Sequence, residues 1–77
     1  MKKITLVQLK EKHKGVILDI PQGAVLQNKL MSMGIYKGRE VTKISYIGLK
    51  GPVAIKVGRS VMVLGYGMAN KIIVETQ

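Results

Sequence analysis

Gln27-Asn28-Lys29-Leu30-Met31-Ser32-Met33-Gly34-Ile35-Tyr36-Lys37-Gly38 is the stretch whose reading decides the fold. With Leu26 just ahead of it, Leu30 and Met33 stand at spacings i, i+4 and i+7, which puts three apolar side chains on one face of a helix. Gly34 sits where a helix ends in a left-handed residue, and Gly38 marks a tight turn into the next extended run. The spacing predicts one short helix that starts at or after Gly23, because Pro21 and Gly23 are poor helix interior residues. The rest of the chain has the signature of strand or turn. A lone amphipathic helix cannot bury its own stripe, so Leu26, Leu30 and Met33 must close one side of a core that strands build. Ala24, Gln27, Asn28 and Met31 point the other way, which aims Met31 at solvent or at a partner.

Working outward, Val16, Leu18 and Ile20 alternate with Asp19 and predict a half-buried strand with those three apolar residues facing inward. Met1 to Lys14 carries five lysines among Ile4, Leu6, Val7 and Leu9. That pattern suits a short strand or turn laid across a barrel end, with its lysines in solvent. Beyond the helix, Gly38 to Ile47 is β-rich but out of phase, since Val41 and Ile47 oppose Ile44 and Tyr46, as in a bent or bulged strand. Gly48-Leu49-Lys50-Gly51-Pro52 is turn chemistry, with Pro52 acceptable at a strand's first residue. Val53, Ile55 and Val57 then face inward, alternating with Ala54 and Lys56. Gly58-Arg59 predicts a type II′ hairpin into Ser60 to Leu64. Gly65-Tyr66-Gly67 breaks the pairing, Met68-Ala69-Asn70 suits one turn of tight helix, and Lys71 to Glu75 makes a last strand. The fold expected is mainly β, one domain over residues 1–77: a small SH3-like five-stranded barrel with one inserted helix, closed so that no sheet edge remains.

A chain of 77 residues buries a modest core and leaves little surface for a deep catalytic cleft, which favours a binding module. The absence of cysteine removes the usual staple of small secreted domains and points to the cytoplasm. Met-Lys-Lys at the start is not followed by a signal-peptide core, because Ile4 to Leu9 is short and interrupted by Thr5 and Gln8. No segment is long and apolar enough for membrane insertion. Thirteen Lys and Arg against four Asp and Glu leave a formal charge of +9, so an acidic partner is expected: nucleic acid, an anionic lipid surface or an acidic protein face.

Catalysis and metal binding lack their usual groups. One histidine, His13, lies between Lys12 and Lys14, and Glu11, Asp19, Glu40 and Glu75 are scattered. No transition-metal ligand set, nucleophilic triad, cofactor motif or small-molecule substrate site can be assembled from these residues. The glycines lack Walker spacing and serve as turn residues. Tyr36, Tyr46 and Tyr66 are too few for a stacking platform or a proline-peptide groove, though Tyr36 or Tyr66 is a suitable anchor for a protein partner.

Lys29-Leu30-x-x-Met33-Gly34-Ile35-x-x-Gly38, then Gly48-x-x-Gly51-Pro52-Val53-x-Ile55, then Val61-x-Val63-Leu64, Ala69 and Ile72-Ile73-Val74-Glu75 together resemble the FeoA family of ferrous iron transport accessory proteins. The resemblance covers nearly the whole chain. It implies an SH3-like barrel and a small cytoplasmic protein that assists FeoB, a membrane ferrous transporter with a cytosolic GTP-binding domain. Lys29, Leu30, Met33 and Gly34 carry the motif, mostly as fold-forming residues, as do Gly38 and Pro52. Lys29 stands where the family often has Arg, Lys37 where Pro is frequent, and Gly51 where Asp usually precedes Pro52. Gly65-Tyr66-Gly67-Met68 replaces a commonly Arg-rich segment, so a partner contact there is more apolar. Lys29, Met31, Tyr36, Tyr66 and Met68 are the candidate partner-binding residues. Two alternatives fit the same residues: a nucleic-acid-binding barrel, and a stand-alone relative of the C-terminal SH3-like domain of metal-dependent repressors. The oligomeric state is not fixed by the sequence.

Overall fold

A computed structural model describes residues 2–46 and 51–76. The elements in chain order are β1 (Lys2–Thr5), β2 (Lys14–Asp19), α1 (Ala24–Ser32), β3 (Glu40–Tyr46), β4 (Val53–Val57), β5 (Ser60–Leu64), α2 (Tyr66–Ala69) and β6 (Ile73–Thr76). The strands make one antiparallel sheet in the order β1-β6-β2-β3-β4-β5. The mainly-β, SH3-like expectation with an inserted helix holds, with two corrections. There are six strands among the described residues, because Lys2–Thr5 pairs with β6. Among the described residues the order also ends on β1 and β5 with no pairing between them, so the ladder is not closed there and β1 and β5 are its edges. Residues 48–50 of the turn expected over Gly48 to Pro52, and the face that Ile47 was expected to share with Val41, lie outside the described residues.

The helix ends as its sequence predicts, and the end is a Schellman motif. The Gly34 N–H donates to the Met31 carbonyl at 2.9 Å and the Ile35 N–H to the Leu30 carbonyl at 2.9 Å, with Gly34 at φ +86. Leu30 and Ile35, joined by that backbone bond, are both buried. Nine helical residues without a capping side chain are too few to persist alone in water. Burial of Leu30, with Leu26 and Met33 packed partly against the core, is what holds the helix.

Strand β2 departs from the expected phase. Val16 is exposed, Leu18 is half-buried, and Gly15, Ile17 and Ile20 are the buried positions. A side chain at Gly15 would place its Cβ 3.0 Å from Val74 Cβ and Cγ2, so β2 approaches β6 there with only hydrogen between them. That contact sets Ile17 inward, and a register shift between Ile17 and Asp19 returns Ile20 to the core. The bulge expected in β3 is present as a shift between Lys43 and Ser45. Val53, Ile55 and Val57 are buried as expected. Gly58, at φ +62 with Arg59 in ordinary negative φ, supplies the turn that joins β4 to β5.

Lys43 shares the inward phase of Val41 and is 1% exposed, the one buried charged residue among those described. Its Nζ donates to the Val7 carbonyl at 2.7 Å, and Lys12 and His13 bond the Lys43 backbone from the opposite loop. Burial lowers the Lys43 pKa below its ordinary value, with Glu11 acting weakly in the other direction.

Two predictions follow from this packing. Gly34→Ala, read by urea unfolding, is expected to cost about 1–2 kcal/mol, because a Cβ in the left-handed region is strained; no loss would show that the helix end is not held at positive φ. For Lys43, the native state binds its proton less tightly than the unfolded chain, so stability rises as pH climbs through the lowered pKa towards the ordinary lysine value near 10.5. The stability difference of Lys43→Met minus wild type should therefore fall over that interval, and a difference flat with pH would mean that the ammonium is fully solvated.

Candidate functional site

Helix α1 and the short α2 flank the end of β5, and between them runs a groove of about 230 Å³ lined by Leu26, Lys29, Leu30, Met33, Val63, Leu64, Gly65 and Met68. The Schellman end of α1 fixes Leu30 at its floor. Leu64, buried on β5, and Met68, packed partly against the core from α2, close the other wall. Lys29 lies in the last turn of α1, where a cation is favoured by the helix dipole, and contributes the groove's charge.

Of the five residues chosen from sequence, the structure brings Lys29 and Met68 into this groove. Met31 is 56% exposed on the solvent side of α1. Tyr66, half-buried, opens α2. Tyr36 is elsewhere, in the loop after α1, where its hydroxyl accepts a hydrogen bond from Arg39 Nη1 at 3.1 Å and the guanidinium lies 5.8 Å from the ring centre. Arg39 in turn lies over Gly58, since a Cβ added there would come within 2.5 Å of Nη2. Tyr36 and the Lys29–Met68 groove thus lie towards opposite ends of β5.

Sequence reading missed Val61 and Val63, which are 63% and 62% exposed on β5, and Val25, which is 86% exposed on α1. Ser-Val-Met-Val-Leu carries no charge, and that was the available signal: an uncharged strand after a hairpin turn has no lysine to mark it as an edge.

A second, roomier cleft of about 410 Å³ is lined by His13, Lys14, Gly15, Val16, Glu40, Glu75 and Thr76. It is a shallow surface crossing. Its Lys14–Glu40 pair spans 4.0 Å with both side chains more than half exposed, an arrangement worth little in water. His13 is exposed and its Nδ1 bonds the Glu11 carbonyl. Among the described residues no group of three or more His, Cys, Asp or Glu is placed to hold a metal ion. No helix among them is long and apolar enough to cross a membrane.

Residues 4–76 match the family model of the FeoA domain. The chain belongs to the FeoA family. FeoA domains are accessory domains of ferrous iron transport, and solved FeoA structures share this architecture. An iron uptake regulatory protein (FeoA) is 26% identical over the whole of both chains, with a TM-score of 0.86. A FeoA-like protein from Clostridium acetobutylicum is also 26% identical, over 99% of this chain and 88% of that one, with a TM-score of 0.82. The zinc-bound structure of ScaR is 22% identical over 96% of this chain and 37% of its own, with a TM-score of 0.83, which is a likeness of fold alone. No curated protein matches the chain.

The Tyr36–Arg39 pair is expected to be a turn contact rather than a structural necessity. Tyr36→Phe should change unfolding free energy by less than about 0.5 kcal/mol, as for surface substitutions generally. A larger loss in chemical denaturation would show that the pair holds the α1–β3 loop.

Proposed function

We propose that this chain is a cytoplasmic accessory module of ferrous iron uptake that acts by binding the cytosolic region of the membrane transporter FeoB. The observation that carries the reading is the FeoA match over residues 4–76, together with likeness to an iron uptake regulatory protein along its full length. The residues present support action by contact. The lone histidine is exposed, the four carboxylates are far apart in sequence, and the cleft beside His13 is an open surface crossing. Against that background, the α1–β5–α2 groove combines exposed apolar surface with a cation at its rim, which is the composition of a protein-recognition site.

Titration of the purified chain into the FeoB cytosolic region at physiological ionic strength is expected to give saturable binding, and deletion of the chain is expected to reduce ferrous uptake. Absence of binding even at low salt, with uptake intact, would reject the reading. The charge of +9 supports one competitor, a nucleic-acid-binding barrel. Duplex affinity that persists at physiological salt would favour it, whereas binding confined to dilute buffer is the ordinary behaviour of a polycation.

A further inference from the structure

Strand β5 ends the sheet, and no strand among the described residues pairs with its outer side. The two-residue Gly58-Arg59 loop sets Val57 opposite Ser60, then Ile55 opposite Met62 and Val53 opposite Leu64. In an antiparallel hairpin with such a loop these are the pairs that exchange both backbone bonds, and the residues between them turn their N–H and C=O outward. Those residues are Val61 and Val63. No other backbone or side-chain hydrogen bond reaches residues 60–64 among the described residues. Val61 and Val63 therefore offer unpaired backbone groups and exposed side chains together.

The usual guards of an edge are missing here. Ser60–Leu64 has no lysine, no proline and no register shift, whereas β2 and β3 each have one shift. At the strand's far end Val63 also lines the groove formed by Leu26, Lys29 and Met68, a recess able to take a side chain of an added strand.

Charge selects the occupant. No Asp or Glu occurs between Val41 and Val74, and the surroundings of β5 are cationic: Lys56 is the cross-strand neighbour of Val61, Arg59 is in the turn, and Lys29 is at the groove. A second copy would bring the same cations together, at +9 for each chain. An extended segment with β-branched residues and carboxylates fits the ladder, the two valines and the field at once.

We propose that β5 receives an extended, acidic segment of a protein partner as an added strand, with Val61 and Val63 supplying the new ladder bonds. The inference rests on the reading that this chain works by contact with a protein, and names the edge it uses.

The test is an NMR titration of the full chain with a short synthetic peptide of alternating valine and glutamate, repeated with the FeoB cytosolic region. The expected result is that the Val61 and Val63 amide signals shift most, together with Lys29 and Met68. Val63→Pro removes an N–H that bonds no other described residue, so its melting temperature should stay close to wild type while affinity for both probes falls at least about tenfold. If proline disturbs the strand, the Val61→Glu, Val63→Glu double variant keeps β5 and sets carboxylates against those of the acidic segment, with the same loss expected. Equal FeoB affinity for wild type and variants would overturn the edge proposal and leave the adaptor reading standing. Peptide captured at β5 with no FeoB binding would support the edge and sink the adaptor reading with FeoB. Shifts of these amides with protein concentration alone, or with duplex DNA in preference to both probes, would overturn the proposal in favour of a second copy or a nucleic acid.

Discussion

The backbone bond from the Ile35 N–H to the Leu30 carbonyl is the constraint on which the rest depends. It stops α1 at Ser32, with Met33 as the capping residue, reverses the chain through Gly34, and puts Leu30 and Ile35 side by side in the core. From there the chain enters the turn at Gly38, whose N–H donates to the Ile17 carbonyl, while Ile17 N–H donates to Arg39. Helix end, β2 and the start of β3 are thus tied within a few residues. Because the helix is too short to stand unaided, the same bond also decides where Leu26, Lys29 and Met33 lie, and hence that a groove exists beside β5.

Features set by neighbours in sequence were legible. The helical repeat of Leu26, Leu30 and Met33, the stop at Gly34, the inward phase of Val53, Ile55 and Val57, and the Gly58-Arg59 hairpin all follow from local geometry and were read correctly. Features set by distant partners were not. Alternation alone made Val16 an inward residue, but the close approach of Gly15 to Val74 sets the phase of β2, and the glycine was the signal. Met1 to Lys14 suited a short strand or a turn, and Lys2–Thr5 becomes strand because β6 offers it an edge, a choice the sequence left open. Lys43 lies in phase with Val41, yet a lysine is discounted as core by habit; its long stem and the Val7 carbonyl make the inward position tenable.

The candidate site was legible only in part, for the same reason. Lys29 and Met68 are far apart in sequence and meet because α1 and α2 both pack at the end of β5. The exposure of Val61 and Val63 is a property of strand order, which places β5 last in the sheet. The expectation of a closed barrel hid that edge, since closure would have covered it. Composition showed the net charge of +9 but not its placement: the run from Val41 to Val74, which contains the open strand, has no carboxylate.

Native-state hydrogen exchange on the unbound chain, resolved at each amide of β5, examines the open edge most directly. Met62 and Leu64 should exchange slowly, since their N–H groups bond β4, and the alternate residues Val61 and Val63 should exchange fast. Uniform protection along Ser60–Leu64 would mean that the outer side of β5 is already covered, and would contradict the open edge.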